Sequence, residues 1–167
     1  MVALENFLAS TKEISVQELE YVPYQRLVLA HLLDEECGGS LKKILVETLH
    51  DRATGALEIS TPPDLNKDDL IKISTAVSHL VGLPNFDSMS GKYYACFDVK
   101  DTDNSDSYLR QAYRLFTLHT DGTYVDETTD WVLLLKLKEE NAVGGESRLL
   151  HLDDWEEMEI FAEHPLG

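Results

Sequence analysis

The sequence has 167 residues, enough for one domain with a core of ordinary size. Hydrophobic residues make up 43% and charged residues 27%, a globular composition that excludes a disordered chain. The net charge of −17 creates a field that repels phosphate backbones and counts against nucleic acid as a partner.

The chain opens on Met1-Val2-Ala3-Leu4-Glu5-Asn6-Phe7, with no basic region leading into a long apolar run. That is not the pattern of a secretory signal, and no apolar stretch approaches the ~20 residues of a membrane span. A cytoplasmic location is expected, with no membrane partner. Cys37 and Cys96 form no Cys-x-x-Cys pair and read as ordinary reduced thiols. Leu27, Leu29, Leu32 and Leu33 recur at helical spacing, as do Leu41, Ile44, Leu45 and Leu49; Gly38-Gly39-Ser40 separates the two helices. Gly55 to Ser60 predicts a short strand, stopped by Pro62-Pro63. A helix over about Lys67–Leu80 puts Ile71, Val77 and Leu80 on its apolar side and ends at Gly82 and Pro84.

Beyond Lys92 the pattern changes. Tyr93–Val99, Arg114–Leu118, Trp131–Leu137 and Ser147–Leu152 have strand composition, with Gly, Asp and Asn clusters between them. Asp153 or Asp154 is expected to cap a last helix carrying Trp155, Met158, Ile160 and Phe161. The prediction is one α+β domain over residues 1–167, mainly helical over 1–84 and β-rich over 85–167.

The segment with chemical content is Leu118-His119-Thr120-Asp121-Gly122. Alternation along an extended chain sends His119 and Asp121 to the same side, and Gly122 lets the backbone turn away. With a distant histidine, such a pair completes the two-histidine, one-carboxylate set that binds Fe(II) and leaves open positions. By itself the pattern is more often that of a loop histidine capped by a neighbouring aspartate. Downstream, Gly144-Gly145-Glu146-Ser147 leads into a predicted strand. Ser147 there can place a hydroxyl beside a bound carboxylate, or simply belong to a hairpin turn. Arg110 and Arg114 offer guanidinium forks for a dicarboxylate, or for structural ion pairs; Arg110 is the candidate substrate residue. Tyr93, Tyr94 and Tyr108 line a pocket or pack half-buried. Of the six histidines, His31, His50 and His79 fall in predicted helices as packing or surface residues. His151 falls on a predicted strand and His164 precedes Pro165; neither is assigned to metal.

Longer strings carry a resemblance. They are Asn85-Phe86-Asp87-Ser88-Met89-Ser90-Gly91-Lys92-Tyr93-Tyr94-Ala95, Asp103-Asn104-Ser105-Asp106-Ser107-Tyr108-Leu109-Arg110-Gln111, His119 to Tyr124, and Gly144 to Trp155. The chain resembles the jelly-roll 2-oxoglutarate oxygenases related to taurine dioxygenase and, more closely, the CsiD family of glutarate 2-hydroxylases. The resemblance implies a double-stranded β-helix of which residues 85–167 are the first, incomplete part. It implies Fe(II), with 2-oxoglutarate as cosubstrate and O2. The reaction it implies is hydroxylation of glutarate to L-2-hydroxyglutarate with release of succinate and CO2, in lysine degradation. His119 and Asp121 match the first two iron ligands, and Ser147 falls where relatives hold the distal carboxylate of 2-oxoglutarate. The third ligand, a histidine, and the arginine that pairs with 2-oxoglutarate are expected beyond residue 167, as are the later strands. The family suggests a homotetramer, and the 167-residue chain alone is expected to fold poorly and be inactive. Two alternatives remain at this point: an oxygenase of another small acid, and a non-catalytic acidic protein that keeps the scaffold without a complete iron site.

Overall fold

Helix formation is most explicit where the sequence supplies both a cap and an apolar stripe. α5 (Lys67–Val81) starts at Asn66, whose side chain accepts the Asp69 N–H at 2.9 Å, and Asp68 and Asp69 place negative charge in its first turn. Its face of Leu70, Ile71, Ile73, Ala76, Val77 and Leu80 is buried, which is wider than the apolar stripe read from the sequence. Asn66→Ala should lower the stability of this helix's unit by about 1 kcal/mol in a urea titration, because the N–H that it caps then has no acceptor.

The computed structural model describes residues 2–87, 90–97, 117–121, 128–140 and 146–164. The remaining helices are α1 (Val2–Ser10), α2 (Val16–Tyr21), α3 (Pro23–Glu36), α4 (Leu41–His50) and α6 (Met158–Ala162). The chain divides into two compact units, Met1–Cys96 with Leu133–Leu137, and Phe97–Val132 with Lys138–Gly167.

The first unit is a helical cluster in which α3 packs on α5 and also meets α1, α2 and α4. Its core gathers Phe7, Leu19, Leu29, Leu33, Leu45, Ile73, Ala76 and Leu80. α3 ends where Gly38 and Gly39 adopt φ of +78° and +71°, and the Gly39 N–H returns to the Asp34 carbonyl at 2.7 Å. A residue with a Cβ adopts that left-handed backbone only under strain, so the two glycines stop α3. The Asp34 carboxylate then accepts the Lys42 N–H at 2.9 Å and starts α4, a task that the Ser40 side chain does not perform. Lys72 is 6% exposed, and its ammonium donates to the Thr11 carbonyl at 2.9 Å, tying α5 to the end of α1.

Segment 90–94 lies on this unit. Asp87 and Lys92 form an isolated antiparallel bridge around a turn in which Gly91 has φ +70° and the Ser90 N–H donates to the Asp87 carboxylate. Arg26 on α3 donates to the Leu19 and Glu20 carbonyls at 2.6 and 3.0 Å and stacks 4.0 Å over the Tyr93 ring. Lys92 pairs with the Glu20 carboxylate, which also accepts from the Tyr94 hydroxyl.

The second unit holds a 3-10 turn over Leu152–Asp154 followed by α6. None of its described residues is buried.

The structure departs from the sequence expectation in its β content. Among the described residues no strand forms. Gly55–Ser60, Trp131–Leu137 and the described part of Tyr93–Val99 follow non-helical paths without a ladder, as does Ser147–Leu152 up to its last residue, which enters the 3-10 turn. Most of Arg114–Leu118 lies outside the described residues. β-propensity measures fit to a half-buried pleated surface rather than a backbone preference, so strand composition without a neighbouring strand makes no sheet. The last helix is also shorter than expected. Asp153 and Asp154 sit inside the 3-10 turn and do not cap α6, because that helix starts later and its N-cap position falls on Glu157.

Candidate metal centre

His119 and Asp121 come together as the sequence predicts. His119 Nε2 lies 3.5 Å from Asp121 Oδ1, with both side chains partly exposed. The other ring nitrogen, Nδ1, lies 2.7 Å from the Thr117 carbonyl. A carbonyl only accepts, so in the neutral ring Nδ1 carries the hydrogen and the Nε2 lone pair is the one turned toward Asp121. Anchoring the non-ligating N–H on a backbone carbonyl is how proteins orient a metal-binding histidine and fix its tautomer. The separation of 3.5 Å is close to the roughly 3 Å kept by two donors on one small divalent ion.

A second His-x-Asp in the same chain gives an internal comparison. His151-Leu152-Asp153 repeats the spacing, yet its chemistry is opposite. There Nδ1 accepts the Asp153 N–H at 3.1 Å and caps the 3-10 turn, with the Asp153 carboxylate 3.8 Å away. At His151 the Nδ1 lone pair is engaged by the backbone N–H of Asp153; at His119 Nδ1 meets a backbone carbonyl instead, and Nε2 faces a carboxylate. Local spacing alone does not separate these cases. What separates them is Thr117, two residues earlier, whose carbonyl accepts from the ring.

The other candidates stand apart from this pair. Ser147 is exposed, and its hydroxyl makes no hydrogen bond among the described residues. Arg110 and Tyr108 lie outside the described residues, as do Gly144 and Gly145. Among the described residues no third His, Cys, Asp or Glu joins His119 and Asp121 in a metal-binding group. Tyr93 and Tyr94 prove to be packing residues: Tyr93 shares a hydrogen bond of 2.8 Å with Thr75 and Tyr94 bonds to Glu20. Sequence reasoning missed Arg26, whose role depends on a residue 67 positions away (93 − 26) and left no local signal. Cys37 and Cys96 are free thiols, and burial, then Asp34, push the Cys37 thiol up from its ordinary value. No helix among the described residues is long and apolar enough to cross a membrane.

The local geometry is that of an imidazole nitrogen and a carboxylate oxygen 3.5 Å apart on one partly exposed segment. The model of the CsiD family matches residues 2–167, and the chain belongs to that family. It is 52% identical over 164 residues to the glutarate 2-hydroxylase of Citrobacter koseri, covering 96% of this chain and 50% of that protein. It is 50% identical over 166 residues to the glutarate 2-hydroxylase of Salmonella typhimurium, covering 98% of this chain and 51% of the relative. The Salmonella newport protein of the same name is 51% identical over 164 residues, 96% of this chain and 50% of its own length. The chain spans about half the length of the curated relatives it matches.

Proposed function

We propose that this chain supplies the first half of an Fe(II)- and 2-oxoglutarate-dependent hydroxylase that converts glutarate to L-2-hydroxyglutarate, and that His119 and Asp121 are two of its three iron ligands. The observation that carries the reading is the orientation of His119, whose Nδ1–H rests on the Thr117 carbonyl while Nε2 faces Asp121. The names of the relatives, glutarate 2-hydroxylase in each case, support the substrate and the reaction.

The chain's own residues have distinct tasks. His119 offers a neutral lone pair in a ring that cannot rotate without losing its bond to Thr117. Asp121 brings the negative charge that offsets part of the charge of a divalent cation. Ser147 is the hydroxyl that we assign to the distal carboxylate of 2-oxoglutarate. When bound, the iron and 2-oxoglutarate supply the oxidising chemistry that a protein side chain lacks. We read residues 85–167 as the opening of a jelly roll, in which Trp131–Leu137 and Ser147–Leu152 become strands once they gain neighbours. The partial exposure of Val132, Leu133, Leu149 and Leu150 supports this, because these side chains find an apolar cover in such a sheet.

The test joins this chain to the remaining half of the Citrobacter koseri relative and measures 2-oxoglutarate decarboxylation. Glutarate should stimulate decarboxylation at least tenfold over taurine, a difference of about 1.4 kcal/mol in transition-state binding. Equal stimulation by the two acids would move the substrate to another small acid.

A further inference from the structure

The string Ser90-Gly91-Lys92-Tyr93-Tyr94 has no part in the proposed metal chemistry, yet it is held to the helical unit by several side-chain bonds. Its attachment runs through Tyr93. One face of that ring lies under the Arg26 guanidinium, its hydroxyl meets Thr75 Oγ1, and the ring of His79 meets it edge-on with centroids 6.1 Å apart. His79 Nδ1 lies 2.8 Å from the Thr75 carbonyl and 3.2 Å from Ser78 Oγ. Since the carbonyl only accepts, Nδ1 carries the hydrogen of the neutral ring, and a further proton can enter only at Nε2. Thr75 thus anchors both rings, His79 through its carbonyl and Tyr93 through its hydroxyl.

We infer that segment 90–94 is a strap that neutral His79 keeps fastened to the helical unit and that protonation of His79 unfastens. Charges surround the ring on several sides. From α3 comes Arg26, already bound to two carbonyls and to Tyr93. From α2 comes the Glu20 carboxylate, already engaged by Lys92 and Tyr94 of the strap. From α5 itself come the uncharged Thr75 and Ser78. A proton on His79 therefore adds a third cation, beside Arg26 and Lys92, where the Glu20 carboxylate is already occupied. The histidine is half-buried, so water screens the new charge only in part. Burial first, and then the Arg26 charge, hold the His79 pKa below its ordinary value, while the bond to Thr75 acts the other way. A depressed pKa means that the fastened strap is favoured above about pH 6.5, the unfolded value. That contribution is lost as pH falls from there through the folded pKa, and the loss levels off below it.

The experiment uses the full chain. NMR of labelled histidine follows His79, and amide hydrogen exchange of residues 90–94, corrected for intrinsic rate, follows the strap as pH is lowered from about 7.5 to about 5. Opening should increase by up to about tenfold per pH unit below about 6.5, level off at the His79 midpoint, and leave the amides of α3 unchanged. His79→Gln, which carries no charge at any pH, should abolish the step. An unchanged step in His79→Gln would overturn the inference. So would a strap that stays closed while wild-type His79 titrates, a result that needs no variant.

Discussion

In a protein that joins this chain to the second half of the Citrobacter koseri relative, Asp121→Ala should bring glutarate-dependent succinate formation down to background. The carboxylate is the only anionic donor in the proposed set, and its loss leaves a divalent cation on imidazoles alone. Removing an outer-shell partner of a metal ligand lowers affinity or activity roughly 10–100-fold, so removing a ligand should exceed that range. The second His-x-Asp provides the control. Asp153→Ala removes a carboxylate at the same spacing but leaves the backbone N–H that His151 accepts, and turnover should stay within about twofold of the parent. Parallel assays of Fe(II)-dependent succinate release distinguish the two pairs. Equal losses in both variants would mean that the orientation of His119 does not mark a ligand.

Phe7→Ala should remove about 3–5 kcal/mol from the stability of the helical unit, read by urea denaturation at two wavelengths. Phe7 is fully buried among Leu19, Leu29, Leu45 and Ala76, and all the buried residues of the described chain lie between Phe7 and Leu80. The loss combines the transfer of an aromatic ring with the cavity it leaves, and α1 is joined to α5 by few other groups besides the Lys72–Thr11 bond. For a domain of this size the change approaches the whole net stability. Ile160→Ala makes the contrast, because that side chain is 70% exposed and its truncation should change stability by under about 0.5 kcal/mol. A Phe7→Ala variant that melts with the parent would show that the core is not closed around that ring.

The helical half was legible because its signals are local. Gly38-Gly39 after an apolar stripe, Gly82 and Pro84 after another, and leucines at helical spacing each act within a turn or two, and α3, α4 and α5 form where those signals lie; the Asn66 cap of α5 was not predicted. α1 and α2 left weaker traces, since short helices draw their stability from packing rather than from pattern. The β half was not legible in this way. Trp131–Leu137 has strand composition, but a strand exists through its partner, and composition does not specify one. The site was legible to the extent that His119 and Asp121 share a face. The difference between His119 and His151 was not, because it lies in whether Nδ1 meets a backbone carbonyl or a backbone N–H. The fastening of Tyr93 by Arg26 escaped for the same reason, as the two meet only after α3 and α5 have packed.

The most direct test of the proposed hydroxylase is the product made by the joined protein with Fe(II), 2-oxoglutarate, glutarate and labelled O2. 2-Hydroxyglutarate and succinate should form in equal amounts, with one labelled oxygen in the new hydroxyl and neither product formed without iron. Consumption of 2-oxoglutarate with glutarate left intact, in a joined protein that folds and binds Fe(II) through His119 and Asp121, would contradict the proposal.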